Sequence, residues 1–199
     1  MGLFGGYKCS FCGADRGFLG NTSLKDGNLC GDCEGKLSPF FKVKEQMTVS
    51  EVGAQLKYRE ENQKNLESFA EDEQITLAED TIYLDKKAGR LFISKTAKGK
   101  AGNPDLFPFS GIQQVSCRVD RNRETLQWKN AAGEIISCEP PIYKTTYALS
   151  LCLTVANDHV TGQYTLKFAS DLDGMDAFQL ITRKEELDEI IAGLKALRG

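Results

Sequence analysis

The chain is poor in residues that commonly carry chemistry. Its 199 residues include one histidine, one tryptophan and three methionines. His159, the lone histidine, sits in Ala156-Asn157-Asp158-His159-Val160 without a second histidine or a nucleophile motif beside it, so a surface loop between strands is expected. There is no G-x-S-x-G elbow, no G-x-x-x-x-G-K phosphate loop and no G-x-G-x-x-G after a strand, so no enzymatic activity is expected. No apolar run approaches the roughly 18 residues that a membrane span needs. Met1-Gly2-Leu3-Phe4 lacks a charged region before an apolar stretch, and Gly6 stands where a myristoylation signal carries Ser or Thr. Neither a secretory signal nor that anchor is expected, and the localisation expected is cytoplasmic. Excess positive charge is missing too. The formal net charge of −3 argues against a dedicated nucleic-acid binder. With 41% hydrophobic and 27% charged residues, the chain suits one or two globular domains with a real core.

Cysteine is the exception to this scarcity, with seven in all. In a reducing compartment grouped thiols more often hold metal than form disulfides. Cys117, Cys138 and Cys152 are scattered, while Cys9, Cys12, Cys30 and Cys33 fall in Cys9-Ser10-Phe11-Cys12-Gly13 and Cys30-Gly31-Asp32-Cys33. Two residues between thiols let both sulfurs reach one ion at roughly 2.3 Å from a tight knuckle. The 17 residues between Cys12 and Cys30 fit the spacing of a four-cysteine zinc site. Gly13 permits the positive φ that such a knuckle often needs. Lys25-Asp26-Gly27-Asn28 reads as a hairpin turn between the pairs, and Glu34, Lys36, Leu37 and Phe40 as a short helix ending near Pro39. That helix would put the second pair at its N-terminus, where the dipole favours thiolates. Ordinary buried thiols rarely fall twice at this separation, and a thioredoxin-like redox pair would need a βαβ context. Iron in a rubredoxin-type site remains the alternative, since four thiolates suit iron as well. A glycine usually follows both pairs there, whereas Glu34 follows Cys33, so zinc is favoured.

Four thiolates leave no open coordination position, so the expected cofactor is one structural Zn²⁺ per chain. It would supply folding free energy to a segment too small to fold alone. Within residues 1–45 six basic residues face five acids, and four thiolates with one Zn²⁺ take the balance to −1, against a finger that reads DNA. Cys117 falls on the apolar face of its strand and Cys152 opposite the leucines; neither has a base beside it.

From Thr48 to about Phe69 the chain reads as a helix, opened by the capping-box pair Thr48 and Glu51. Its apolar stripe of Val49, Val52, Leu56, Leu66 and Phe69 is narrow and interrupted, which suits a connector packed on one side. After Glu71-Asp72-Glu73 the period changes to two. Seven short strands are expected around Ile82–Leu84, Leu91–Ile93, 112–120, Leu126–Trp128, Ile135–Ile136, Leu149–Val155 and Tyr164–Phe168, the pattern of an antiparallel sandwich or barrel. Val115, Cys117 and Val119 share one strand face. A last helix carries Leu187, Ile190, Ile191, Leu194 and Leu197 on one face, with Thr182 and Glu185 as a second capping box. Residues 171–181 carry no clear pattern, and Ala177-Phe178-Gln179-Leu180-Ile181 reads as an extension of that helix or as a short strand. Lys86, Lys87, Arg90, Lys95, Lys98 and Lys100 fall within fifteen residues without an acid among them. They form a candidate anion-binding surface for lipid headgroups or an acidic partner, or else solvated lysines guarding a sheet edge.

Residues 1 to about 70 resemble the N-terminal module of an uncharacterised family found mainly in Gram-positive bacteria. The likeness lies in the double C-x-x-C, Leu24-Lys25-Asp26-Gly27-Asn28-Leu29-Cys30, Lys36-Leu37-Ser38-Pro39-Phe40-Phe41 and the polar helix. It implies that Cys9, Cys12, Cys30 and Cys33 are metal ligands, and brings no known activity. Residues 75–199, by element order, resemble a bacterial pleckstrin-homology-like (PH-like) domain, which implies binding or scaffolding and a C-terminal helix plugging one end of a bent sandwich. The expected fold is α+β. It comprises a zinc-ribbon or treble-clef-like module over 1–45, a polar connecting helix over 46–72, and a mainly antiparallel PH-like β domain over 73–199. The expected function is a non-enzymatic zinc-binding adaptor or scaffold that binds a protein, or a ligand, through the PH-like module. The alternatives are a peripheral binder of anionic lipid through the basic hairpin and a rubredoxin-like iron electron carrier.

Overall fold

Glycines and short turns shape the N-terminal segment more than long elements do. The computed structural model describes residues 7–16, 21–137, 139–174 and 176–199, so Cys138 lies outside the described residues. Tyr7–Lys8 (β1) pairs antiparallel with Asp15–Arg16 (β2), and Asn21–Leu24 (β3) with Gly27–Cys30 (β4). Lys25 and Asp26 close the second hairpin where the sequence predicts it. Gly27 is required by a close approach: a Cβ there would strike Ser10 Oγ and come within 2.6 Å of Val49 Cγ2. A four-residue helix, α1 (Gly31–Glu34), follows with Cys30 as its N-cap.

The short helix expected from Glu34 to Pro39 is thus displaced toward the N-terminus. Gly35 is a poor helix former. Beyond it the chain turns through Lys36 N–H to Cys33 O (3.2 Å) and Leu37 N–H to Glu34 O (3.0 Å), which carries Leu37 into the interior.

The polar helix forms as expected, over Val49–Glu67 (α2), with Thr48 as N-cap and both bonds of the capping box in place. Its buried stripe differs from the sequence reading. Val52 and Leu66 are buried, but between them lie Gln55, Tyr58, Arg59 and Asn62.

Beyond α2 the strands are Glu73–Leu77 (β5), Asp80–Asp85 (β6), Arg90–Lys95 (β7), Phe107–Pro108 (β8), Ile112–Thr125 (β9), Gln127–Lys129 (β10), Ile135–Ser137 (β11), Tyr143–Ala156 (β12) and Thr161–Asp173 (β13). The seven expected strands are all present. Sequence reading missed polar β5, which shows only Ile75 and Leu77 as apolar residues, and the two-residue β8. Strands β5-β6-β7-β8 form one antiparallel sheet, β13-β12-β9 another, and β10-β11 a hairpin. The last helix, α3, runs over Ala177–Leu197. It starts earlier than Thr182 predicts because Asp176 accepts the Gln179 N–H (3.0 Å) as N-cap; residues 171–173 are the end of β13 and 177–181 the start of α3.

The main core lies between the two sheets and under α3. Leu77, Ile82, Leu84, Leu91 and Phe107 meet Val115, Leu149, Leu151, Leu153 and Leu166, and α3 adds Leu187, Ile191 and Leu194. Tyr83 and Phe92 point to the opposite face of the first sheet, where they stack on each other at 4.5 Å and pack with Leu66 and Phe69 at the end of α2. With both faces covered, Ile82-Tyr83-Leu84 and Leu91-Phe92-Ile93 read as continuous apolar runs. Strands β9 and β12 outrun the core and continue as a two-stranded ribbon toward β10 and β11. Val119, expected on an apolar face, pairs with the buried Leu149 but stands on the edge strand of this sheet and is 48% exposed. Among the described residues no helix is long and apolar enough to cross a membrane.

Candidate metal centre

Four local devices bring four thiols to one point. The knuckle Cys9–Gly13 closes with the Gly13 N–H on Cys9 O (3.0 Å), and Gly13 takes φ +71°. Ser10 N–H donates to Asn28 O (2.8 Å) and Asn28 N–H to Ser10 Oγ (3.0 Å), which seats this knuckle on the β3–β4 hairpin. Strand β4 ends at Cys30, and one turn of α1 presents Cys33. The sulfurs of Cys9, Cys12, Cys30 and Cys33 all lie within 4.8 Å of one another, and none forms a disulfide. Cys9, Cys30 and Cys33 are buried; Cys12 is exposed.

The electrostatics of the cluster call for a cation. Burial pushes the Cys9 thiol up, but the backbone N–H groups of Cys12, Cys30 and Phe11 outweigh it and bring its pKa down to about 6. Cys33 moves the other way, to about 12, through burial first, then its hydrogen bonds to Cys12, Cys30 and Cys9, and the negative charge of Cys9. One thiolate forms readily here and further ones repel it. A divalent ion removes that conflict by neutralising the charge. The geometry fits such an ion. With metal–sulfur bonds of about 2.3 Å, the edge of a tetrahedron is about 3.8 Å, and Cys12 Sγ stands 3.6 Å from Cys30 Sγ.

The cluster is tied directly to α2. Asp26, at the hairpin turn, accepts the Val49 N–H (2.7 Å), and Lys25 N–H donates to Met47 O (2.9 Å). Val52 packs with Leu24, Leu29, Leu37 and the buried thiols. Further along, α2 is anchored in the β region through polar groups. Arg59 Nη1 donates to Asp105 Oδ1 (2.6 Å), with side chains 7% and 0% exposed, and Asp105 also accepts from Tyr58 OH (2.9 Å) and Ser38 Oγ (2.7 Å). Asn62 Nδ2 donates to Pro104 O (2.9 Å), and Asn157 Nδ2 donates to Tyr58 OH (2.9 Å). Sequence reasoning missed this network. Its one trace is the spacing of Gln55, Arg59 and Asn62 along the buried side of an otherwise solvated helix. His159 is exposed in its loop, as expected, with its ring stacked at 4.3 Å on Tyr58.

Four of the six basic residues have partners within the chain. Lys86 pairs with Glu73. Lys95 pairs with Asp80 (3.2 Å) and Glu79 (3.5 Å). Arg90 binds Asp85 (2.9 Å) and Ser68 O (2.7 Å), and Lys100 donates to Phe69 O (2.9 Å), so both cations serve carbonyls at and just beyond the C-terminus of α2, where the dipole favours positive charge. Both also approach the face of the Phe69 ring, at 5.5 and 5.6 Å. Lys87 and Lys98 are exposed. Cys117 is half-buried against the main core, and burial raises its pKa; Cys152 is half-buried on the other face of the sheet.

These features define a small module in which a knuckle, a hairpin and a helical turn converge four thiols able to hold a metal ion. Residues 8–55, which include all four cysteines and the start of α2, match the family described as a domain of unknown function, DUF4428. No curated protein and no solved structure matches the chain.

Proposed function

We propose that the protein is a non-enzymatic cytosolic adaptor in which residues 1–45 form a zinc-ribbon or treble-clef-like module around one structural Zn²⁺. In this reading residues 46–72 connect it to a PH-like domain over 73–199 that contacts a protein partner. The observation that carries it is the convergence of the Cys9, Cys12, Cys30 and Cys33 sulfurs within 4.8 Å. The order of knuckle, hairpin and helical turn supports the module type. Two antiparallel sheets with a terminal helix packed on their shared core support the PH-like reading. Trp128, Ile135, Ile136, Ile142 and Tyr143, exposed on and beside the ribbon, are where the partner contact is placed. The pairing of Lys86, Arg90, Lys95 and Lys100 within the chain weighs against a lipid headgroup surface there.

Elemental analysis of the purified chain tests the metal reading. About one zinc per chain without iron is the expected result; iron in a coloured preparation would replace the structural role with electron transfer.

A further inference from the structure

We infer that the four-thiol cluster is also a site of oxidative modification, with hydrogen peroxide as the class of oxidant, Cys12 as the thiolate that reacts and Cys30 as the one that resolves it. This rests on the metal-holding reading of the same cluster. The four thiols differ in access and in how they are held. Cys9, Cys30 and Cys33 are 2%, 0% and 4% exposed, whereas Cys12 lies at the surface. Cys9 accepts the Cys30 N–H at 3.4 Å, and hydrogen bonds of this kind withdraw electron density from sulfur. Cys12 is therefore the sulfur that a dissolved oxidant reaches first, and its 3.6 Å approach to Cys30 puts a second sulfur beside it.

The chemistry balances without another reactant. The Cys12 thiolate attacks one peroxide oxygen, the O–O bond breaks, hydroxide leaves and a sulfenic acid forms. The Cys30 thiolate, 3.6 Å away, then attacks Cys12 Sγ and displaces a second hydroxide. Each sulfur gives one electron and peroxide takes two. The product is a Cys12–Cys30 disulfide that joins the Cys9–Gly13 knuckle to the end of β4. A metal ion held by the four thiolates would lose two of its ligands. Because the hairpin between the pairs holds the first turn of α2 through Asp26 and Val49, release is felt there before it is felt at Arg59.

The test uses the full chain. Metal content is measured first; zinc release into a chromophoric chelator is then followed during titration with hydrogen peroxide, and disulfides are mapped by peptide mass spectrometry. Expected are one zinc freed per peroxide consumed and a Cys12–Cys30 linked peptide. Cys12→His, which offers an imidazole in place of the thiolate, should slow release on the order of tenfold, while Cys152→Ser leaves it unchanged. Alkylation of the native chain by N-ethylmaleimide needs no variant and should label Cys12 before Cys9, Cys30 and Cys33. A Cys9–Cys12 link, release unaffected in Cys12→His, or zinc retained under peroxide would overturn the inference alone. A chain that holds no metal before peroxide is added overturns the metal reading with it.

Discussion

Among the described residues, the cluster around the thiols buries seven apolar residues, three of them cysteines, whereas the core between the sheets buries nineteen and no cysteine. The smaller cluster cannot order its segment by burial alone, because the four apolar residues that are not cysteine supply only several kcal/mol at about 25 cal/mol per Å². The larger one is of a size that holds a domain together. The two regions differ in what replaces apolar area: convergent thiols in one, nothing in the other. The sharpest way to break this comparison is to remove the metal. Chelation, or Cys33→Ser, should withdraw a free energy on the order of 10 kcal/mol from the N-terminal segment. Hydrogen exchange should then rise throughout residues 21–34 while β6, β7 and β12 keep their protection. Simultaneous loss in both regions would show that they fold as one unit.

The next largest effect probes what lies between them. Asp105 has a fully buried carboxylate bound by Arg59, Tyr58 and Ser38. Asp105→Ala leaves the Arg59 charge buried without its partner and should cost about 3–5 kcal/mol, read as a lower urea midpoint. Replacing both, as Arg59→Met with Asp105→Leu, should recover part of that loss, since neither variant group needs a partner.

A smaller effect comes from Asp85, where α2 ends. Burial works to raise its pKa, but the Ala88 N–H, the Arg90 guanidinium and the Ala70 N–H outweigh it and hold the carboxyl below its ordinary range. Such a group stabilises the fold above its unfolded pKa of about 3.9, and that contribution disappears as pH falls through the folded value. Asp85→Asn should therefore cost about 2 kcal/mol at pH 7. Between about pH 5 and 3 it should lose less further stability than the wild type. Equal slopes in thermal melts across that window would show that Asp85 is not the group responsible. At the other end of α2, Thr48→Ala removes the side-chain cap and should cost about 1 kcal/mol, measured in the metal-loaded chain. On the ribbon, Trp128→Ser should change stability by no more than about 0.5 kcal/mol, because the side chain is half exposed outside either core.

The thiol cluster was readable from the sequence because its chemistry demands a fixed local spacing: two residues within each pair and a hairpin between them. Most strands were readable for a similar reason, since alternation is also local. What escaped were features decided at a distance. Strand β5 pairs along β6 through a polar sequence, and its place at the sheet edge makes few demands on its residues. The helix over 34–39 was misplaced because the inward turn of Leu37 belongs to the cluster it joins. Arg59 and Asp105 are 46 residues apart, and neither residue type announces burial. In the basic run the sequence shows the charges but not the carbonyls and carboxylates that Lys86, Arg90, Lys95 and Lys100 meet.

Helix α2 sets a phase as well as a distance. Val49 and Val52 belong to the thiol cluster, Tyr58 to the main core and Leu66 to the packing under the first sheet, so one rod is keyed at three heights. Each residue advances a helix by about 100° and 1.5 Å. Inserting one residue between Leu56 and Tyr58 would turn the thiol cluster by more than a quarter revolution about this rod, and Arg59 could not face Asp105 while Val52 faced Leu29. Seven inserted residues would nearly restore the angle but separate the parts by about 10 Å. Phe41, which packs against both clusters, could not bridge that gap. The relative orientation of the two parts is therefore written into the length of one helix, and a change in that length should act as a change of gear.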